Sequence, residues 1–282
     1  MNIVLLEPEE LSGGGAIRLP AGDRRARHIC SVLRLSVGQD LKVGLVNGPA
    51  GRGRVRRISA GGDVELDLVL PGAGGDFGGP GEQGTDSLQP VRLLLAHPRP
   101  IVLRRLLRDL STLGVERIVV CHSALGEKSY FGSSMWDGDT VRRLLIEGAE
   151  QAGVTAIPAV ERRWRPKDGI EGVIEGRAEA ARLLFDPDGE PDGEEPREAR
   201  SEKGRAAAPD AVSASTAPRR DTGGLIVAVG AERGWTEEER RVFVRSGFRS
   251  RSLGGRILRT ETAAVAAVVL ALRELGRVPG QA

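Results

Sequence analysis

The sequence predicts an α/β protein: a small β-rich segment followed by a mostly parallel, sheltered sheet. Three observations carry that reading. Strand-like runs and turn signals fill residues 1 to about 70. From Val91 onward, apolar strands alternate with helical periods, the pattern of strand-helix units on a parallel sheet. Between them, "PGAGGDFGGPGEQGTDSLQP" is Gly-rich and reads as a linker. The expected domains are therefore 1–70, a linker at 71–90, and 91–282.

In the first domain, "DLKVGLVNG" and "GRGRVRRIS" read as strands parted by the turn signal Asn47-Gly48-Pro49, and "DVELDLVL" follows Gly61-Gly62. "DRRARHICSVLRL" reads as a short helix or loop, and the whole as a small β-barrel or sandwich. In the second, "VRLLLAH" is a continuous apolar strand. The next run places Leu103, Leu106, Leu107, Leu110 and Leu113 on one helical face and stops at Gly114. "VERIVVCHS" is a buried strand, and Thr140 to Gly153 a helix with Val141, Leu144, Leu145 and Gly148 on one stripe. "EAARLLFD" reads as a helix-strand element and "GLIVAVG" as a strand. "TEEERRVFVRSG" reads as a helix opened by a capping box of Thr236 and Glu239. "SRSLG" leads to a last, apolar helix. From Asp186 to Thr222 the only Val, Ile, Leu, Met or aromatic residue is Val212, which predicts a disordered insertion.

Composition narrows the function classes. The 282 residues are 40% hydrophobic but only 3% aromatic, so the core is aliphatic. Net charge is +2, yet Arg18 to Arg57 holds ten Lys or Arg against Asp23 and Asp40. Arg24, Arg25, Arg27, His28 and Arg34 surround a short apolar segment, and Arg52, Arg54 and Arg56 share one face of a strand. Each is a solvated charge in the bland reading; together, without compensating acids, they suggest phosphate contact. Cys30 and Cys121 lie far apart in no metal-type spacing and read as reduced thiols. No signal peptide or apolar run of spanning length is present, so a cytoplasmic protein without membrane or metal is expected.

The chemistry candidates follow the last strands: "GAERGW" after "LIVAV", and "LGGRILRTETA" before the final apolar helix. Such strand ends host ligands in parallel sheets. No G-x-G-x-x-G follows a strand and no Walker motif occurs, which argues against a dehydrogenase or a P-loop enzyme. Glu261 and Thr262 fit a helix start, with a hydroxyl N-cap and an acid at the positive end of the dipole; they fit a reactive site equally.

"VAVGAERGWTEEE…GF…LGGRILRTETAAVAAV" resembles the C-terminal signature of the RsmE family, 16S rRNA uridine-N3 methyltransferases of the SPOUT class. "RHICSVLRLSVGQDL", "LGVERIV", "EGAEQAG…IP" and "GEKSYFGSS" resemble its other segments, so the resemblance reaches both domains. Ala231 and Arg233 stand where the family usually has Pro and Gly, Thr112 where it commonly has Glu, and Val154 where it commonly has Arg. The resemblance implies a PUA-like barrel followed by a trefoil-knotted sheet, an exception to the avoidance of knots. It also implies a homodimer and S-adenosylmethionine as cofactor. The cofactor would be held by Ala96, Gly230, Glu232, Gly234, Leu253, Gly254, Ile257, Leu258 and Thr262. Arg259 and either Glu261 or Glu232 would serve the chemistry. Arg24, Arg25, Arg27, His28, Arg34, Arg54 and Gln151 would contact 16S rRNA or the 30S subunit. Other readings are a SPOUT enzyme with another RNA target, or a non-catalytic RNA-binding or assembly protein on the same fold.

Overall fold

The computed structural model describes residues 1–11, 15–71, 88–190 and 223–277, which divide into two compact units. The proposed linker core and residues 191–222 lie outside the described residues.

The first unit comprises residues 1–88, 107–114 and 138–158. Its five-stranded sheet runs in the order β1 (Val4–Leu6), β3 (Asp40–Leu45), β4 (Ala50–Ile58), β5 (Val64–Val69), β2 (Ala16–Leu19). The β1/β3 pair is parallel and the others antiparallel. Alternation along these strands buries Val43, Val55, Val64 and Leu66 in one aliphatic core and leaves Arg52, Arg54 and Arg56 in solvent. The "DRRARHICSV" run is helical: α1 (Arg24–Arg27) opens on Asp23, whose side chain accepts from Arg25 N, and a π-helical turn follows over His28–Val32.

This unit also takes in α4 (Thr140–Ala152), which a boundary drawn by composition assigns to the following domain. Polar contacts fix it there: Asn2 N donates to Glu150 O at 2.7 Å, Arg142 pairs with Glu7 at 2.6 Å, and Thr155 Oγ1 donates to Gly48 O at 2.7 Å. Gly148 is required on α4, because a Cβ there would meet Arg108 O at 2.3 Å.

The second unit holds a six-stranded sheet, ordered β11 (Arg249–Arg251), β9 (Ala181–Glu190), β10 (Leu225–Val229), β6 (Gln89–Ala96), β7 (Val115–Cys121), β8 (Ala159–Arg163). Every pairing is parallel, so all six carboxyl ends share one edge. α2 (Pro100–Thr112) buries Leu103, Leu106, Leu107 and Leu110 as its period requires. α5 (Pro166–Ile174) packs on β6, β7 and β8, and α7 (Thr260–Glu274) on β6 and β10. α6 (Glu237–Arg245) opens on the expected capping box. A short helix, α3 (Lys128–Phe131), lies in the connection after β7.

Three expectations are corrected here. "EAARLLFD" is no helix-strand element: β9 begins at Ala181 directly after a turn. The strand then runs to Glu190, so residues 186–190 belong to the sheet and not to an insertion. Asp-Pro-Asp-Gly-Glu lacks apolar side chains, but its backbone pairs with β11 at Glu190, and Arg240 holds Asp186 and Asp188. Likewise β6 starts at Gln89, two residues before the apolar run that signals it.

Candidate active site at the strand ends

A cavity of about 320 Å³ opens at the carboxyl ends of β9 and β10. Its wall has four parts: Phe185 to Asp188 of β9, Val229 to Trp235 after β10, Ser252 to Leu258 without Gly255 after β11, and Thr260 with Ala263 from the first turn of α7. Arg240 of α6 completes it.

The loop after β10 is a tight turn: Gly234 N donates to Ala231 O at 2.9 Å, with Gly234 at φ +68°. Glu232 and Arg233 keep negative φ, so a residue with a side chain is tolerated where the family usually has Gly. Gly230 is constrained by space, since a Cβ there would lie 2.8 Å from Gly234 Cα. Gly254 sits at φ +106°, a conformation that favours glycine. Glu232 is exposed; its Oε1 accepts from Arg99 N at 3.0 Å, fastening the turn to the loop after β6.

Of the residues expected around the cofactor, Gly230, Glu232, Gly234, Leu253, Gly254, Ile257 and Leu258 line this cavity. Ala96 is fully buried at the end of β6, and Thr262 is exposed in the first turn of α7; neither is in the wall. Arg259 is the N-cap residue of α7, exposed and without a side-chain capping bond. Glu261 is half-buried in the first turn, and neither it nor Arg259 lines the cavity. The hydroxyl N-cap is corrected: α7 starts at Thr260 behind Arg259, and Thr262 lies inside the helix. The acid near the positive helix end remains, in Glu261.

Sequence reasoning missed several wall residues. Asp186 is buried, accepts from Arg240 at 3.0 Å, and caps Asp188 N at 3.1 Å. Burial pulls the Arg240 guanidinium down, and Asp186 and Asp188 more than restore it. Asp186 was hidden because it opens a run that looks like solvated polar sequence. Arg256 faces the cavity from within the motif already singled out. Beside them Ile257, already expected at the site, is 89% exposed, and Trp235 Nε1 is buried with no acceptor among the described residues.

His97 shapes the neighbouring loop. Its Nε2 accepts from Trp136 Nε1 at 3.0 Å, so its Nδ1 carries the proton and donates to Pro98 O at 2.7 Å. Burial holds this imidazole below its ordinary value and keeps it neutral.

In the first unit, the reading of uncompensated arginines does not hold. Acids distant in sequence reach most of them. Arg25 is held by Glu10 at 2.6 Å and Asp23 at 2.7 Å, and donates to Leu5 O at 3.0 Å. Arg24 pairs at 2.6 Å with Glu150, whose side chain is 1% exposed. Burial pushes the Glu150 carboxyl up, and Arg24 offsets this only in part. Arg54 pairs with Asp40 at 2.8 Å, and Arg56 approaches Asp67 at 3.6 Å. Arg27, Arg34 and Arg52 are exposed and have no carboxylate partner among the described residues; Arg34 adopts φ +51°. His28 is half-buried, with its Nε2 lacking a partner among the described residues. Gln151 Oε1 accepts from the amino terminus at 3.2 Å. Thr112 Oγ1 donates within 3.0 Å of Arg108 O and Gly148 O, so it joins α2 to α4 locally, and Val154 is half-buried. Both cysteines are free, and among the described residues no metal-binding cluster and no membrane-length apolar helix occur.

Residues 85–272 match the model of an RNA methyltransferase domain. The ribosomal RNA small subunit methyltransferase E of Treponema pallidum is 36% identical over 274 residues, covering 96% of this chain and 91% of that protein. Ribosomal RNA small subunit methyltransferase E 1 of Borreliella burgdorferi is 25% identical, covering 98% of this chain and 99% of that protein. The fold is similar to that of the Neisseria gonorrhoeae small subunit methyltransferase E bound to S-adenosyl methionine. The TM-score is 0.66 at 23% identity, with 97% of both chains covered. The putative methyltransferase Lpg2936 of Legionella pneumophila, in complex with the same cofactor, gives 0.67 at 19% identity, covering 96% of this chain and 97% of that one. With a family model matched over residues 85–272 and similarity along nearly its whole length, the chain belongs to the RNA methyltransferase family, in its small-subunit ribosomal RNA methyltransferase E branch.

Proposed function

We propose that this protein is a cytoplasmic, homodimeric enzyme that transfers a methyl group from S-adenosylmethionine to N3 of a uridine in 16S rRNA. The observation that carries the reading is the cavity between the turn at Gly230–Gly234 and the loop at Ser252–Leu258. Its features suit the cofactor. A cavity of this size is within the range of small-molecule sites. Ile257 offers an apolar side chain for a purine to cover, and Trp235 Nε1 an unmatched donor. The first turn of α7 presents free amides and the positive end of a dipole, which favour a carboxylate such as that of the methionine moiety. The backbone of Leu253, Gly254, Ile257 and Leu258 would hold the remainder. In this reading the last segment threads a trefoil knot and the first unit is a PUA-like RNA-binding barrel.

S-adenosylmethionine supplies a methyl group on a sulfonium, with its own leaving group. The chain must align uracil N3 with that methyl and accept the N3 proton. In this reading Glu232 serves as that base: it lines the cavity, and with Oε1 taken by Arg99 N, its Oε2 has no hydrogen-bond partner among the described residues. Glu261 lies behind the wall, where it suits orienting Arg259. Arg256 in the wall joins Arg259 as a cation able to stabilise the uracil anion. N3 is a pairing atom, so the base must be unpaired or extruded.

Isothermal titration with S-adenosylmethionine, beside mass-spectrometric mapping of 16S rRNA nucleosides with and without the gene, tests the proposal. Expected are saturable binding and one N3-methyluridine lost on deletion. Absent binding would favour an assembly protein on this fold, and a different lost nucleoside another RNA target.

A further inference from the structure

The chain has one Tyr, three Trp and three His. The Tyr (Tyr130), two Trp (Trp136, Trp164) and two His (His97, His122) gather with Phe131 just beyond the carboxyl ends of β6, β7 and β8. In an aliphatic protein this concentration is not needed to fill a core, and its outermost member is not in one. Trp164 is 51% exposed, while Phe131 and His97 beneath are buried. His122 lies 5.0 Å from Trp164, tilted by 45°, and Phe131 5.0 Å away at 86°. Two rings thus brace an indole that keeps half its surface in solvent.

Cations lie beside it. Arg162 lies 5.2 Å from the Phe131 ring centre and 5.1 Å from that of Trp136. It donates to Phe131 O at 2.5 Å and has no carboxylate partner among the described residues. The side chains of Arg99 and Lys128 are likewise exposed and form no ion pair among the described residues, although the Arg99 amide donates to Glu232. Nearby Arg163 and Arg165 are already neutralised by Glu161 and Asp168. The cluster shares a sheet edge with the cavity: in the order β10-β6-β7-β8, Trp164 at the end of β8 lies three strands from β10. At ~4.8 Å per strand that is roughly 15 Å, near enough for one RNA strand to meet both.

We propose that Trp164, braced by His122 and Phe131, is a stacking platform for an unpaired nucleobase of the RNA substrate, with Arg162, Arg99 and Lys128 drawing in its backbone. Sequence-tolerant stacking on an aromatic face beside cations is a general mode of single-strand binding. The proposal rests on the methyltransferase reading above and identifies how its substrate strand is held.

The test is fluorescence anisotropy with a labelled oligouridine at low salt, on wild type, Trp164→Ala and Trp164→Phe. Trp164→Ala should weaken binding roughly 10-fold or more, and Trp164→Phe should recover most of it. The salt slope should stay the same, because no phosphate contact is removed. S-adenosylmethionine affinity should be unchanged, and the modest stability cost of losing the ring packing is set aside by working well below the melting temperature of each variant. A wild type that does not bind oligouridine, an alanine variant that binds normally, or a phenylalanine variant as weak as alanine would each overturn the platform. So would normal RNA affinity with a changed solution mass, which would make Trp164 a protein contact. If wild type binds no S-adenosylmethionine while the Trp164 effect persists, the enzymatic reading fails and the platform stands.

Discussion

Replacing Arg25 with Ala separates a structural arginine from an RNA-binding one. The substitution removes charge-assisted bonds to Glu10 at 2.6 and 2.8 Å and to Asp23 at 2.7 Å, and strands Leu5 O. The acids left behind are only 32% and 19% exposed. A bond to a charged group is worth about 1.5–3 kcal/mol. These bonds share one guanidinium and are partly wet, so they do not add; a loss of ~2–4 kcal/mol is expected. At roughly 2–4 °C per kcal/mol, melting should fall by about 5–15 °C. Exposed Arg27→Ala should cost under ~0.5 kcal/mol but flatten the salt dependence of RNA binding by about one phosphate. The cluster also sets a pH signature. Burial pushes Glu10 and Asp23 up, but Arg25 reverses this and holds both below their ordinary values of 4.5 and 3.8. Their contribution is complete above those values and is lost as pH falls through the lower folded ones, so the wild-type advantage should be full above about pH 4.5 and shrink progressively as the pH falls below it. Thermal melts of both variants from pH 3 to 8, with anisotropy on folded protein, check this. An Arg25→Ala protein that melts like wild type but loses RNA affinity would refute the reasoning.

Glu232→Gln should lower single-turnover methylation, measured at saturating S-adenosylmethionine, by roughly 10²-fold or more; normal turnover would move the base to Glu261. Gly230→Ala should abolish cofactor binding by titration, since the added carbon lies 2.8 Å from Gly234 Cα. Arg24→Ala should be more damaging at pH 7 than at pH 4. Glu150 already has a raised pKa from burial, so its protonated form is the one tolerated without a cation; melts across pH decide. Native-state alkylation should spare Cys121, whose buried thiol is pushed far up, and tryptic mapping would show it.

Elements with strong local signals were legible in the sequence. The Leu103–Leu110 stripe, the Thr236/Glu239 box and the apolar strands all formed as the pattern requires, because burial and capping act over a few residues. What was missed depends on distant partners. The end of β9 carries no apolar side chain, and only its pairing with β11 and its ion pairs to Arg240 make it a strand and a cavity wall. The arginines of residues 18–57 looked unpaired because Glu10, Glu150 and Asp67 lie outside that window. α5 and β8 were passed over, since "AVERR" and "PKDGIEGVI" are short and half polar. The two cavity loops themselves were legible, as glycine clusters following strands.

The carboxylate of Glu239 has a role beyond capping its helix. Its Oε2 accepts from Thr236 N at 2.8 Å and Thr236 Oγ1 at 3.0 Å, while its Oε1 accepts from Ala124 N at 2.7 Å. One side chain therefore ties the segment following the cavity turn to the loop that leads from His122 to the aromatic cluster. Two ligands biasing one linked element obey thermodynamic reciprocity. If oligouridine tightens S-adenosylmethionine by some factor, the cofactor must tighten oligouridine equally, and Glu239→Gln should bring both factors toward one.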